Sequence, residues 1–453
     1  MLETDVQRGV RLPSRPSHVH RIGYSFGSAS LGFAESSLAI FYLFYLTNVV
    51  GIAAGLAGAV FALPKVWDTF VDPVVGTWVD RQATRVGKRW PFVLVSGLLL
   101  YAAFIGMFSI PNLSSQWAVA GVAFGLLIAF STARTVFGIC QLSVSTEIAA
   151  DEAQLSSLYS LTLIVYTVVG LVGGSLPPLL VTWFGGGHLG YSLMAVFGAL
   201  MSWVFLVGYA VMTKSVPVQP VSEKAAAQSL VTLFRATIRN NAFVALLAYY
   251  VVLCICTAIT SSFLPYLNLY ILHGDDTKLA VLSGVFSLTN IIGFPLAPFF
   301  VRRYGSRLAL KVGNLIMIAT FVALFAASYM GLWTNWAVIG VAGAASGLLS
   351  VIFLSTLVDV SRAPVTGGLV VPLGFYFGVI LSGTKLGQSG GNIVVGSLLG
   401  ATGFVSGATH QSDFTVLVIR MGYTLLPALL FGMCGSFLNK LIRSTARQVP
   451  STT

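Results

Sequence analysis

The chain has 453 residues, of which 56% are hydrophobic and 9% charged, with a net charge of +11 and a mean hydropathy of +0.87. Soluble domains carry about 25% charged residues, so this set cannot build a water-facing surface, and a soluble globular protein is excluded. Repeated apolar runs of about twenty residues are each long enough to cross a hydrocarbon layer of about 30 Å. In lipid every backbone group must be paired internally, and the runs show no period-two alternation, so they predict helices.

Taken in chain order, the first 22 residues carry Arg8, Arg11, Arg15 and Arg21 but no short apolar core with a small-residue cleavage site, and read as a basic tail. Six apolar segments follow, near 24–49, 53–79, 91–110, 117–142, 155–183 and 188–213. A polar stretch over 214–240 separates them from six more, near 241–273, 276–301, 308–330, 335–357, 369–400 and 412–440. The expected organisation is an all-α membrane protein of twelve transmembrane helices: a first half (1–213), a cytoplasmic linker (214–240) and a second half (241–453). A weak internal repeat supports two related halves. The second span of the first half runs into Gly76-Thr-Trp-Val-Asp80-Arg81 and Arg85-Val-Gly87-Lys88-Arg89, and its counterpart runs into Arg302-Arg303-Tyr-Gly305-Ser-Arg307. Matching basic loops suit a repeat-built transporter that rocks around a midplane site.

Basic residues set the orientation. Twenty of the 25 Lys and Arg fall in the tails and alternate loops on one side, Lys278 alone falls on the other, and Lys65, Arg134, Lys385 and Arg420 lie within spans. Cytoplasmic loops hold the excess, which predicts an inner (plasma) membrane protein with both termini cytoplasmic. The net charge is then a matter of topology. Anionic lipid headgroups are its expected partners, and nucleic acid is not. Cys140, Cys254, Cys256 and Cys434 all lie in apolar segments and read as small core residues. None of the five histidines lies in a span interior, which disfavours a histidine proton relay.

Ionisable residues at membrane depth cost at least about 2.5 kcal/mol each and default to functional candidates. The second span contains Lys65, Asp68 and Asp72. The two acids are four apart and share one helix face. They repel unless a cation or proton sits between them, so they form a candidate Na⁺ or proton site; the alternative is an ion-pair cluster with Lys65. Glu35 and Arg134 are either a structural pair or a substrate or gating pair. Lys385 lies in the glycine-rich run Gly383-Thr-Lys385-Leu-Gly387-Gln-Ser-Gly390-Gly391, where small residues allow close helix approach and movement. Arg420 follows a polar entry and is expected to snorkel to the interface. No metal constellation, nucleophile–base arrangement or phosphate loop is present in the cytoplasmic segments, so no enzyme activity is expected.

The block Trp67-Asp68-x-x-x-Asp72-Pro73-x-x-Gly76-x-x-x-Asp80-Arg81, then Arg85-x-Gly87-Lys88-Arg89-x-Pro91-Phe92, resembles the glycoside–pentoside–hexuronide:cation symporter family of the major facilitator superfamily. Thr47-Asn48-Val-Val-Gly51 and Thr384-Lys385-Leu-Gly387 are similar to that family as well. The resemblance implies that Asp68 and Asp72 coordinate the coupling cation, Na⁺ if sodium is used, completed by a hydroxyl of the fourth helix. Thr135 is the candidate, and a one-residue slip would place Arg134 there. It implies substrate or gating roles for Lys65 and Lys385, to which the residue reading adds Glu35 and Arg134. It also implies a gating loop of Gly76, Asp80, Arg81, Arg85, Gly87, Lys88 and Arg89. The chain departs from the family's sugar carriers where acids are expected in the first and fourth helices, at Gly32 and at Phe137 or Gly138. An arginine expected in the fifth helix is absent across Leu161 to Val165.

The expected function is cation-coupled symport of a small organic solute, a sugar or glycoside by family, by a monomer using alternating access. No cofactor is expected beyond the coupling ion, Na⁺ or H⁺. The competing expectation is an uncoupled facilitator or exporter of an amphiphilic or other non-sugar solute.

Overall fold

A computed structural model of the protein describes residues 18–64, 67, 78, 89–111, 113–148, 152–216, 230–361 and 373–446. These residues are helical and contain no strand. Helix α1 (His18–Phe44) continues into a π-turn, Tyr45–Val49, and α2 covers Ala54–Pro64. The first half continues with α3 (Trp90–Met107), α4 (Gln116–Ile148), α5 (Glu152–Trp183) and α6 (Gly187–Thr213). A short α7 (Leu230–Arg239) precedes α8 (Asn241–Tyr270) and α9 (Asp276–Gly293), which passes through a 3₁₀ turn into α10 (Ala297–Tyr304). The chain ends with α11 (Ser306–Ala327), α12 (Leu332–Ser361), α13 (Leu373–Ala401), α14 (Asp413–Tyr423) and α15 (Leu425–Ala446).

Ten helices among the described residues are long and apolar enough to span a membrane. The second predicted span is described only as far as Pro64, apart from Trp67 and Trp78. The eleventh, α13, has 29 residues and so a length of about 43 Å. Its glycines, Lys385, Gln388 and Asn392 make it less apolar than its neighbours. Two predicted spans are broken by proline. Pro295 lies within the turn between α9 and α10 and Pro298 at the start of α10, and Pro427 denies a partner to the Tyr423 carbonyl where α14 gives way to α15. Helix starts are capped by Asn240, whose side chain accepts from the amides of Ala242 and Phe243, by Asp275 and by Ser412.

The helices pack as two groups. In the first, α1 lies against α5 and α6, and α3 lies against α4 and α6; in the second, α8 packs on α13 and α15, and α12 on α9 and α11. Backbones approach closely where glycine removes the side chain. A Cβ at Gly347 would run into the Asn290 carbonyl oxygen on α9. The groups meet through α1 on α8 and α5 on α9. They also meet where Gly58 on α2 touches Gly396 on α13. Large apolar side chains such as Leu98, Leu99, Leu200 and Val204 remain exposed on the outside of the bundle, as a hydrocarbon surround allows. All four cysteines are buried, in keeping with their reading as small core residues.

Candidate functional site

A cavity of about 350 Å³ lies between the two groups, within the range of roughly 300–1,000 Å³ typical of small-molecule pockets. Its hydroxyls come from Ser36 and Thr167 on one side and Thr257, Ser261, Ser287 and Ser346 on the other. Asn290, Gln388 and Asn392 add amides, and Phe61, Tyr166 and Phe286 add rings. Among the described residues, no Asp, Glu, Lys or Arg belongs to this lining. Gln388 and Asn392 are four apart on α13, one turn along the same face. Lys385 sits half-buried a turn before them and outside the lining.

Glu35 stands behind the cavity wall. Arg134 Nε donates to one carboxylate oxygen, and Tyr166 Oη donates to the other at 2.8 Å. Local packing explains this convergence. A Cβ on Gly32 would lie 3.0 Å from the Tyr166 carbonyl oxygen and from the Gly170 amide, so α1 and α5 can close up only because Gly32 is bare. That contact brings Tyr166, whose ring lines the cavity, under the carboxylate one turn away. Thr135, next to Arg134, is buried at 8% exposure. Arg89 is buried at the start of α3. Arg420 lies over the Tyr329 ring, 3.7 Å from its centre.

Lys65, Asp68, Asp72, Gly76, Asp80, Arg81, Arg85, Gly87 and Lys88 lie outside the described residues. The geometry therefore brings together Glu35 and Arg134 and adds Tyr166, Asn290, Gln388 and Asn392, which reading the sequence for charge passed over. The available signal was an amide pair at helical spacing inside an apolar span.

The end of the bundle remote from the first and last helix termini is latched. Thr47 and Tyr266 share a hydrogen bond of 2.6 Å, and Asn48 donates to the Tyr270 hydroxyl at 3.0 Å. Thr182 donates to Asp276 at 2.6 Å, and Ser406 donates to the Ile52 carbonyl at 2.9 Å. Each bond joins the first half to the second. Tyr266→Phe removes one neutral hydrogen bond, worth about 0.5–1.5 kcal/mol, and keeps the ring against Phe44 and Phe404. The closed population at this end should fall by up to about tenfold, read as a shift in distances between spin labels on the two halves. An unchanged distribution would show that the latch carries no weight.

Residues 23–438 match the family described as MFS/sugar transport protein. The chain belongs to this family of major facilitator transporters. It is 24% identical over 430 residues to the uncharacterized symporter YnaJ of Bacillus subtilis, covering 91% of this chain and 89% of the relative. It is also 24% identical to the isoprimeverose transporter of Lactiplantibacillus pentosus, covering 91% of this chain and 86% of that one. The fold matches the crystal structure of a bacterial homolog of the human lysosomal transporter Spinster, with a TM-score of 0.70, 14% identity, and coverage of 96% of this chain and 100% of that one. These findings place the carrier in the glycoside–pentoside–hexuronide:cation symporter group, as an integral membrane transporter rather than an enzyme.

Proposed function

We propose that this carrier moves a neutral glycoside together with Na⁺ or H⁺ by alternating access. The observation that carries the reading is the central cavity. Hydroxyls from both halves and amides from the second supply donors and acceptors for sugar hydroxyls, rings supply apolar faces, and no ionised side chain of the described lining calls for a charged solute. The family's sugar-reading acids are missing from this chain, and neutral amides stand where a solute would be read. The excess of Lys and Arg on the terminal side makes that side cytoplasmic. The latched end is then the outer one, and this is an outward-closed state. The cation site assigned by the resemblance, Asp68 and Asp72 with the Thr135 hydroxyl, supplies the coupling.

The test is uptake of isoprimeverose and of a phenyl glucuronide into proteoliposomes under imposed Na⁺ or pH gradients. Accumulation of the neutral sugar, and not of the anionic one, is expected with one of the two gradients. Asp68→Asn and Asp72→Asn should each reduce gradient-driven accumulation at least about a hundredfold while leaving the protein folded. That loss corresponds to nearly 3 kcal/mol of ion binding. Accumulation that survives both substitutions defeats the coupling assignment, and preference for the glucuronide defeats the substrate class.

A further inference from the structure

The ceiling of the central cavity, on its latched side, is built around prolines. Helix α5 carries Pro177 and Pro178 and α8 carries Pro265 inside regular helix. All three line a second, smaller cavity of about 40 Å³ towards the latched end. The residues one turn earlier, Gly174 and Ser261, line the central cavity. The prolines therefore form the layer between the two spaces.

A proline has no N–H, so each one leaves the carbonyl four residues before it without its helical donor. Pro177 frees the Gly173 carbonyl, and Ser37 Oγ on α1 takes the vacated place at 2.9 Å. Pro265 frees the Ser261 carbonyl, which the Leu264 amide can still reach in a 3₁₀ manner. Gly174 is the special case. Its donor at i+4 would be residue 178 and its donor at i+3 would be residue 177, and both are proline. Both ordinary helical donors are removed together, and a glycine has no side chain to screen its carbonyl. Across the gap, Ser287 Oγ of the second half lies 3.8 Å from where a Gly174 Cβ would sit.

We propose that the Gly174 main-chain carbonyl is a substrate-reading acceptor, taking a hydrogen bond from a hydroxyl of the solute at the ceiling of the cavity. This rests on the neutral-glycoside reading above and adds a specific contact to it. A buried carbonyl stripped of both ordinary helical donors is costly to leave unpaired, and a sugar hydroxyl beside Ser287 would satisfy it from the space between the halves. The double proline then belongs to specificity: it keeps the helix from consuming an acceptor that the solute needs. The contact lies where α5 meets α9, so a bound hydroxyl also bridges the halves on the latched side.

The experiment compares isoprimeverose binding by calorimetry in wild type and in Pro178→Ala, which returns an N–H to the Gly174 carbonyl. Binding should weaken about five- to tenfold, the size of one neutral hydrogen bond, while the melting temperature stays level or rises because the helix is repaired. Among monodeoxy isoprimeverose analogues, one should lose that factor on wild type and lose nothing further on Pro178→Ala. A second variant leaves both prolines in place. Replacing Ser175 by its α-hydroxy acid turns the Gly174 carbonyl into an ester, a poorer acceptor, and should weaken binding to a similar degree. Wild-type affinity in both variants overturns the proposal and leaves the neutral-glycoside reading standing. So does a loss shared equally by every deoxy analogue. If wild type binds no neutral glycoside at all, that reading falls and this one falls with it.

Discussion

Gly396→Ala is expected to hold the carrier open at its latched end and to stop solute accumulation. A Cβ at this position would lie 2.7 Å from Gly58 Cα and 2.9 Å from the Ala54 carbonyl oxygen. Both neighbours are backbone atoms of α2, so no flexible side chain can move aside and the helices must separate. Overpacking of this kind costs about 1–3 kcal/mol. It falls only on the conformation in which α2 and α13 touch, and so shifts the closed-to-open ratio by about 5- to 150-fold. Spin-label distances across the latched end should lengthen, and counterflow should slow with accumulation. Gly400→Ala is the control. Its Cβ would meet Gly55 at 3.4 Å, an ordinary contact, and it should transport nearly normally. Equal behaviour of the two variants would mean that closure at the latched end does not depend on this contact.

The second large effect is expected at Glu35. Glu35→Ala leaves the Arg134 guanidinium and the Tyr166 hydroxyl without the carboxylate that now receives both. Removing one member of a fully buried pair costs about 3–5 kcal/mol. Here the side chains of Arg134 and Glu35 are 39% and 25% exposed, and solvent screening reduces the expected loss to about 1–3 kcal/mol. Thermal denaturation should show that loss in Glu35→Ala and a smaller one in the double variant Glu35→Ala/Arg134→Ala, which strands no charge. Transport should be lost in both the single and the double variant, because Tyr166 is no longer held against the cavity by its hydroxyl. Recovery of transport together with stability would reduce the pair to a structural role.

These two sites differ in how much of them the sequence shows. Glu35 and Arg134 are charged residues inside apolar runs, so each is conspicuous alone, and the sequence leaves open only whether the pair is structural or serves substrate or gating. The hydrogen bond from Tyr166 is not legible, since nothing marks it among 16 tyrosines until α1 and α5 are set side by side by Gly32. Hydropathy placed the spans well because lipid imposes helix on any long apolar run. It missed the breaks at Pro295–Pro298 and Pro427, since a span can continue across a proline. The cavity was the least legible part. Its described lining comes from seven helices and consists of neutral residues, whereas charge is what stands out in an apolar sequence. The Gly58–Gly396 contact is likewise a matter of which glycines of 47 happen to face one another.

The π-turn at the tip of α1 has a consequence for how this chain can change over time. Tyr45, Leu46 and Thr47 are all fully buried, although consecutive residues of an α-helix fan out over about 200°. Tyr45 packs on Phe108 and Tyr191 of its own half, while Thr47 reaches Tyr266 of the other. The wider winding there lets one short segment be enclosed on every side. A residue inserted or deleted between 45 and 49 would rotate everything beyond it by about 100° and uncouple the tip from both neighbours at once. The Gly185–Gly187 turn, with open space around each glycine, should absorb such length changes freely. Length variation among descendants of this sequence should therefore collect at that turn and avoid the tip of α1.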